Sequence, residues 1–441
     1  MSANRRQFLQ RSAAAIAATT PYIFSTQGAF ANTSANDRPR LACIGVGSQG
    51  MADARELRRH GDIVALCDVD SNRLNQARAD QAIGAEKADL VDDYRRILDR
   101  NDVDVVSIVT PDHWHSKIAI EALQAGKHVF CEKPLTLTLE ENQLIRNACQ
   151  RNSDRVFFVG TQQRSDHRKF LRAVNMVQKG FLGEIKKVTA GINGAPTGGP
   201  FPIADPPKEL NWDMWLGQAP KVSYREKRCH YEFRWWYEYS GGKFTDWGAH
   251  HIDIATWALG EDATGKGPIE IDGTDAQHPV QFVNGHPTVD DSYNTSHDFA
   301  VKCRYPGGVE MVVTSRGDNG ILFEGTQGRL FVNRERITGK PIEEDWDAGH
   351  YGQDDLRRLY RGKPHESHVD NFYRTLREGG LPVSDVYSHL QTMNTCHLCS
   401  IAARLKRKIK WNPTTEQLED DPAAAGLARR EQRARYEIPR V

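Results

Sequence analysis

The sequence has no excess of charge of either sign and no long hydrophobic run. Its 58 lysine and arginine residues equal its 58 aspartate and glutamate residues, so the formal net charge at pH 7 is zero. A balanced charge creates no long-range field that would attract nucleic acid or anionic lipid. No apolar stretch reaches the roughly 20 residues that a membrane-spanning helix needs. These absences argue against a nucleic-acid-binding or integral membrane protein and suit a small neutral ligand.

The sequence also lacks a recognisable disulfide or zinc framework. Its eight cysteines lie mostly inside apolar segments, which predicts buried free thiols. Cys396, His397 and Cys399 are close together, but no second short-spaced cysteine pair exists that would complete a zinc site. We therefore expect no metal.

The first residues resemble an export signal. In the segment 1–31, Arg5 and Arg6 precede a short alanine-rich apolar stretch, and residues 29–31 (AFA) offer a cleavage site. This pattern resembles a twin-arginine signal, which carries folded proteins to the periplasm; a merely basic N-terminus is the alternative. Folding in the reducing cytoplasm would also explain thiols without disulfides. The 441 residues exceed the usual size of one domain, so two domains are expected after the leader.

A glycine-rich turn follows the first predicted strand. Residues 40–50 read RLACIGVGSQG, an apolar strand pattern that ends in a G-x-G-x-x-G motif. The motif alone is weak, but a helix-compatible segment (51–60) and a second buried strand (63–70) follow it. Such glycines let backbone amides approach a pyrophosphate at a helix N-terminus. We expect the dinucleotide to be bound here by Gly45, Gly47, Ser48, Gln49 and Gly50.

Asp68 lies at the end of the second predicted strand. A carboxylate there would accept hydrogen bonds from both ribose hydroxyls of NAD and would repel the 2′-phosphate of NADP. Arg73 is near enough to weaken that preference. The sequence therefore favours NAD and leaves NADP open.

Further strand patterns follow at 103–111, 127–134 and 155–164, separated by helix-like segments. This alternation predicts a parallel sheet, and ligands bind at the carboxyl ends of such strands. The residues expected beside the cofactor are therefore Thr110, Pro111, His115, Glu132 and Lys133. For His115, a packing or hydrogen-bonding role is the alternative.

Four motifs in order, GVGSQG, TPDHWH, CEKP and GGKFTDWGAHHID, resemble the Gfo/Idh/MocA family of oxidoreductases. The resemblance implies an α/β protein with an N-terminal Rossmann domain (38–164). It implies a second α/β domain with an open, mainly antiparallel sheet (165–412), which leaves residues 413–441 as a C-terminal extension. It also implies NAD or NADP, a sugar or polyol substrate and, by analogy, a homo-oligomer.

The same resemblance maps the lysine of E-K-P onto Lys133 and the D-x-x-x-H pair onto Asp246 and His250. The chemistry agrees, because a hydride leaves a carbinol carbon readily only if the hydroxyl proton leaves too. His250 suits the base near neutral pH, and Lys133 can stabilise the developing alkoxide. Four residues apart on one predicted helix, Asp246 and His250 can point into one cleft. A surface helix pair is the alternative.

The segment 194–240 is rich in proline, glycine and aromatic residues. Long irregular insertions are usually functional, and aromatic faces pack on pyranose rings, so we expect a carbohydrate-facing wall; ordinary core packing is the alternative. Arg234 and Lys186 are further candidates for hydroxyl binding that the sequence does not rank. The residues expected to bind substrate are Arg164, Trp235, Trp236 and His251, the last with a structural role as its alternative.

Three functions fit this sequence. The favoured one is an exported NAD(P)-dependent dehydrogenase of a sugar, glycoside or polyol. The second is an NAD-dependent glycosidase that works by oxidation, elimination and re-reduction, and the third is a non-catalytic ligand sensor. Lys133, Asp246 and His250 argue against the sensor. Because little free NAD exists outside the cytoplasm, an exported enzyme needs either a tightly bound, recycled cofactor or a partner that reoxidises it.

Overall fold

The computed structural model describes residues 38–441, so the export signal predicted at 1–31 lies outside the described residues. In the described range no helix is both long and apolar enough to cross a lipid bilayer. All eight cysteines are buried and free. Within residues 38–441, no group of three or more histidine, cysteine or acidic side chains is placed to hold a metal ion.

The N-terminal unit is a parallel sheet of six strands in the order β3-β2-β1-β4-β5-β6. The strand centres are buried and mostly apolar because helices cover both faces of the sheet. The order reverses between β1 and β4, and the crevice at such a switch point is where ligands bind. This confirms the predicted Rossmann-type domain. Its elements are β1 (Arg40–Ile44), α1 (Ser48–Leu57), β2 (Asp62–Cys67), α2 (Ser71–Ala79), β3 (Asp89–Val91), α3 (Arg95–Leu98), β4 (Val105–Ile108), α4 (Asp112–Gln124), β5 (His128–Glu132), α5 (Leu139–Arg151) and β6 (Phe157–Gly160).

The second unit is built on a ten-stranded sheet in the order β16-β15-β14-β7-β13-β12-β8-β17-β18, with β9 beside β12. Only β7 and β13 pair in parallel, which confirms the predicted open, mainly antiparallel sheet. Its strands are β7 (Ile185–Gly191), β8 (Glu270–Asp272), β9 (Ala276–Gln277), a separate hairpin of β10 (Phe282–Val283) and β11 (His286–Pro287), β12 (Asp298–Arg304), β13 (Glu310–Thr314), β14 (Gly320–Gly325), β15 (Arg329–Val332), β16 (Ile337–Thr338), β17 (Lys408–Asn412) and β18 (Gln417–Leu418).

One face of this sheet is covered by helices. In β12 the alternate residues Phe299, Val301 and Cys303 are fully buried, the period-two pattern of a sheet with one core face. They pack with apolar residues of α6, α9 and α13 in one core. The helices are α6 (Phe170–Gln178), α7 (Trp212–Leu216), α8 (Lys243–Asp246), α9 (Gly248–Leu259), α10 (Lys340–Glu343), α11 (Gln353–Leu359), α12 (His368–Glu378), α13 (Val386–Leu405) and α14 (Pro422–Leu427), with 3-10 turns at Gln162–Ser165, Glu226–Arg228, His230–Trp235 and Pro306–Gly308.

Two late segments of the chain return to the Rossmann domain. Helix α12 packs beneath its sheet, where the Tyr373 hydroxyl donates to the Leu57 carbonyl oxygen at 2.7 Å. After α14, the chain crosses the boundary between the two domains, and Ile438 is buried in the Rossmann core at 4% exposure. The segment 413–441 is therefore packed against both domains.

Candidate active site

A cleft of about 850 Å³ lies between the two domains. Its Rossmann side is formed by the glycine turn after β1 and by the ends of β2, β4 and β5. Its other side is formed by α8, the start of α9 and the turn at His230–Trp235. The cleft therefore lies where the switch point predicts a ligand.

Two positions of the glycine turn have no room for a side chain. Gly45 has φ of +82°, and a Cβ there would lie 2.5 Å from the Val109 carbonyl oxygen. A Cβ on Gly50 would overlap the Gly45 carbonyl oxygen. Together with Gly47, Ser48 and Gln49, which also line the cleft, these residues keep the N-terminus of α1 open. Free amides at a helix N-terminus fit the pyrophosphate of a dinucleotide.

Asp68 supports the glycine turn from the end of β2. Its Oδ2 accepts the Val46 amide at 2.9 Å and its Oδ1 accepts the Asp70 amide at 3.0 Å. Burial raises the pKa of Asp68, and these two amides and the Arg73 guanidinium partly oppose that rise. Asp68, which is predicted to favour NAD, and Arg73, which is predicted to weaken that preference, both line the cleft beside the glycine turn.

The loops after β4 and β5 are joined by His115. Its ring lies between two carbonyl oxygens, that of Thr110 at 2.8 Å and that of Pro134 at 2.7 Å. Burial lowers the pKa of His115 to about 4, so the ring is neutral at pH 7. Thr110, Pro111 and His115 line the cleft, with the ring bracing the two loops.

Lys133, Asp246 and His250 meet at the cleft. The Lys133 Nζ lies 2.9 Å from Asp246 Oδ1 and 3.3 Å from the Asp246 carbonyl oxygen. The predicted single helix is interrupted at Trp247, between α8 and α9, yet Asp246 and His250 both face the cleft. The structure thus brings together, from two domains, the three groups that the sequence selected.

The charges at this site depend on one another. Burial alone would raise the pKa of Asp246, but the Lys133 ammonium and the Arg234 guanidinium outweigh it, so the pKa lies below its ordinary value. Burial, Lys133 and Arg334 hold the pKa of His250 well below its ordinary range. His250 is therefore neutral at physiological pH, while Asp246 is ionised.

A second group of carboxyls lies beside Lys133. Glu132 Oε1 accepts from Gln162 Nε2 at 2.7 Å, and Glu132 Oε2 accepts the Lys133 amide at 3.2 Å. Asp53 on α1 faces Glu132 across the cleft floor. Burial raises the pKa of both carboxyls. The charge of Glu132 raises the pKa of Asp53 further. Burial therefore favours a protonated form in this pair.

Asp112 is a third buried carboxyl of the cleft, at the first turn of α4. Its Oδ2 accepts from the Ser240 hydroxyl at 2.6 Å, which ties the Rossmann domain to the segment just before α8. Burial raises the pKa of Asp112 to about 7, against the opposing effects of Ser240, Lys133 and Arg234.

Two of the four residues predicted to bind substrate are instead held by polar partners in the interior. Arg164 is 1% exposed, and its guanidinium forms a bidentate pair with Asp253 at 2.7 and 2.8 Å. His251 is fully buried, with Nε2 lying 2.8 Å from Asn319 Oδ1. Neither side chain lines the cleft, because each already has a polar partner in the interior.

The other two, Trp235 and Trp236, belong to an aromatic core. The Trp236 Nε1 donates to the Lys227 carbonyl oxygen at 2.7 Å, and the Trp235 Nε1 donates to Glu232 at 3.0 Å. Both rings pack among the apolar side chains of the 194–240 segment. Trp235 and Trp236 therefore stabilise the insertion itself, whereas Trp215, Tyr231 and Phe233 of the same segment line the cleft.

Sequence reasoning missed several residues that face the cleft. Arg334 comes from the turn between β15 and β16, which carries no motif. Of the two candidates that the sequence does not rank, Arg234 lines the cleft and Lys186 lies at the surface beside Glu184. The sequence signal for this part of the cleft is the irregular, aromatic-rich insertion that contains residues 230–235. From it, His230, Tyr231, Phe233 and Arg234 reach the cleft.

The parallel sheet, the open glycine turn and the inter-domain cleft define a two-domain dinucleotide-binding protein. Residues 40–161 match the family model described as "Oxidoreductase family, NAD-binding Rossmann fold". Residues 200–339 match the model described as "Oxidoreductase family, C-terminal alpha/beta domain". The two matches together span more than half of the chain. The chain belongs to the Gfo/Idh/MocA oxidoreductase family.

Several proteins are similar to this chain. A glycosyl hydrolase family 109 protein from Shewanella pealeana is 31% identical over 161 residues, which are 34% of each chain. Levoglucosan dehydrogenase from Pseudarthrobacter phenanthrenivorans is 30% identical over 61% of this chain and 64% of its own length. The chain thus spans about a third to just under two thirds of these curated relatives.

Among solved structures, an aldose-aldose oxidoreductase from Caulobacter crescentus, complexed with glycerol, superposes with a TM-score of 0.59 at 18% identity. It covers 85% of this chain and 100% of its own. At this identity the likeness shows the shared fold.

Proposed function

We propose that this protein is an NAD-dependent oxidoreductase that moves a hydride to or from a carbinol carbon of a sugar, glycoside or polyol. The observation that carries the proposal is the meeting of Lys133, Asp246 and His250 in a cleft that also contains the open glycine turn. A nicotinamide bound in the cleft would supply the hydride acceptor or donor.

The residues divide the proton chemistry between them. In the oxidation direction, a nicotinamide held in the cleft would supply the hydride acceptor, and the O–H proton would go to the neutral His250 as the carbonyl forms. Lys133 donates a hydrogen bond to the same oxygen and stabilises its developing negative charge. Asp246 is ionised and holds the Lys133 ammonium in place. In the reverse direction His250 returns the proton.

The experiment begins with the purified protein. Denaturation of one sample identifies any nucleotide that it releases. A panel of sugars and polyols is then tested for a change in nicotinamide absorbance, with Lys133→Met as the matched inactive control. We expect at least one compound to reduce or oxidise the nicotinamide with the native protein only. Failure of every compound with the nucleotide-loaded protein would contradict the proposal.

A second candidate is an NAD-dependent glycosidase, favoured by the 31% identity to a glycosyl hydrolase family 109 protein. Such an enzyme oxidises the sugar, eliminates the aglycone and returns the hydride, so the cofactor shows no net change. Release of an aglycone from aryl glycosides without net NADH would support this candidate. Net NADH without aglycone release would support the dehydrogenase.

We also propose that the protein acts after export to the periplasm, on the basis of Arg5 and Arg6 in the leader pattern. An exported oxidoreductase has little free nucleotide around it. The cofactor would therefore remain bound and be recycled by a second substrate, or be reoxidised by a partner.

A further inference from the structure

Two guanidinium groups reach the cleft without an acidic partner. Arg234 and Arg334 both line it, and within residues 38–441 neither forms a salt bridge or a hydrogen bond. The Arg234 guanidinium lies 4.1 Å from the centre of the Tyr231 ring, and that of Arg334 lies 4.7 Å from the centre of the Trp247 ring. Stacking on a ring leaves the in-plane N–H groups free to donate.

Two of the acids that share this side of the cleft already have cationic partners. Asp246 pairs with Lys133 at 2.9 Å, and Asp166 pairs with Lys169 at 3.0 Å. Each of these pairs is electrically neutral. Neither acid forms a salt bridge with Arg234 or Arg334 in the part of the chain that the structure describes.

The other nearby acids, Asp53, Asp112 and Glu132, are buried. Burial raises the pKa of Asp53, Asp112 and Glu132, which favours their protonated forms. Within residues 38–441 neither arginine has an acidic group within salt-bridge distance, so this side of the cleft presents two cations that can bind an anion, although the formal charge of the whole chain is zero. An anionic group on the ligand would complement these two cations, which the net charge of the chain does not reveal.

We propose that the substrate sugar carries an anionic group, either a carboxylate or a sulfate or phosphate ester, and that Arg234 and Arg334 bind that group. The proposal rests on the oxidoreductase function proposed above and names the substrate class of that site. A guanidinium matches the geometry of such an oxyanion with two parallel hydrogen bonds.

The position of the two arginines argues against the cofactor pyrophosphate as their ligand. Both come from the second domain, Arg234 from the His230–Trp235 turn and Arg334 from the turn after β15. The glycine turn and Arg73 lie on the Rossmann side, where the amides at the start of α1 already provide an anion site. Both arginines flank Asp246, beside the reacting groups.

The experiment compares matched sugars with the nucleotide-loaded protein: a hexuronate, a hexose sulfate, a hexose phosphate and the neutral hexose. We expect one acidic sugar to have a KM about tenfold or more below that of the neutral sugar. The identity of that sugar shows which anionic group the site binds. Arg234→Met and Arg334→Met should each raise that KM by about tenfold, with a much smaller change for the neutral sugar. Variants with lysine in place of either arginine keep the positive charge but lose the two parallel N–H donors of the guanidinium. Their KM for the acidic sugar should lie between that of the native protein and that of the Met variants.

Arg336→Met is the matched control. Arg336 is two residues from Arg334 on the same turn, but it pairs with Asp318 at 2.7 Å, does not line the cleft and packs on Phe331. Its replacement should leave both KM values unchanged. Equal KM values for acidic and neutral sugars in the native protein would overturn the proposal.

Two binding measurements separate this inference from the proposed function. NADH affinity, measured by fluorescence, should be unchanged in the arginine variants; a loss as large as that for the acidic sugar would assign the arginines to the cofactor and overturn the proposal. Calorimetry measures binding of the acidic sugar without turnover. Arginine-dependent binding without oxidation would refute the oxidoreductase function and keep this inference, whereas absence of arginine-dependent binding would overturn the inference.

Discussion

The Lys133 ammonium lies 2.9 Å from the Asp246 carboxylate although 113 residues separate them in the chain. Lys133 follows β5 of the Rossmann domain, and Asp246 ends α8 of the second domain. The ion pair therefore joins the two domains beside His250. Any shift of one domain against the other would separate the groups that we propose to act on the substrate oxygen.

Replacement of Lys133 by Met or of His250 by Ala should each lower turnover by about a hundredfold or more, the usual scale for a positioned acid or base. Nucleotide affinity should change little, because neither residue belongs to the glycine turn. Steady-state kinetics and NADH titration measure the two effects. Lys243→Met is the control, since the Lys243 ammonium lies 5.1 Å from the centre of the Trp235 ring and does not line the cleft.

The double variant tests whether Lys133 and His250 serve one proton transfer. If they do, its loss should be much smaller than the product of the two single losses. Full multiplicativity, or near-normal turnover in the single variants, would place the chemistry elsewhere, with His115 as the next histidine of the cleft to replace.

Replacement of Asp68 by Ala should weaken NAD binding more than NADP binding. The carboxylate would accept the ribose hydroxyls of NAD and repel a 2′-phosphate. Asp68→Asn is the matched control, because it can still accept the Val46 amide that Asp68 now binds. Equal losses for the two nucleotides, or tighter NADP binding by the native protein, would refute the assignment.

Asp112 should make stability depend on pH. Its pKa is about 7 in the fold against an ordinary 3.8, so the folded state holds a proton that the unfolded chain has released. This contribution is fully present below about pH 4 and is lost as the pH rises to about 7. In Asp112→Asn it is absent, so the melting temperature of the native protein should fall relative to that of the variant over this range. Parallel curves would mean that Asp112 has an ordinary pKa.

Arg433 should affect nucleotide binding from outside the cleft. It holds the end of α7 through the Gly217 carbonyl oxygen at 2.8 Å and the Asp213 carboxylate at 2.5 Å. Met214 and Trp215 of this helix line the cleft. Arg433→Met should therefore weaken NADH binding severalfold and lower the melting temperature by a few degrees, about the effect of 1 kcal/mol. Arg429→Met, in the same segment but exposed, is the control, and equal effects of the two would refute the role.

Export should depend on the arginine pair. Replacing Arg5 and Arg6 by lysine should trap the protein in the cytoplasm, as cell fractionation would show. Unchanged export of the variant would remove this interpretation of the leader.

Much of the nucleotide half could be predicted because its signals are local. A Cβ on Gly50 would overlap the Gly45 carbonyl oxygen of the same turn, and buried parallel strands appear in the sequence as short apolar runs. Glu132 ends such a strand and Lys133 follows it directly, so their place at the sheet edge follows from the strand itself. Asp246 and His250 depended on the family resemblance, since the helix predicted to carry both is interrupted at Trp247.

The sequence by itself thus determined the Rossmann sheet, its glycine turn and the residues at its strand ends, because steric limits and period-two or helical patterns act over a few residues. Only the tertiary structure decided which side chains of the irregular segments face the cleft. Arg164 and Arg334 have the same chemistry, but Asp253 binds the first in the interior while the second lies free at the cleft. The direction of a side chain in an aperiodic loop is set by the packing of distant segments, which no local pattern records.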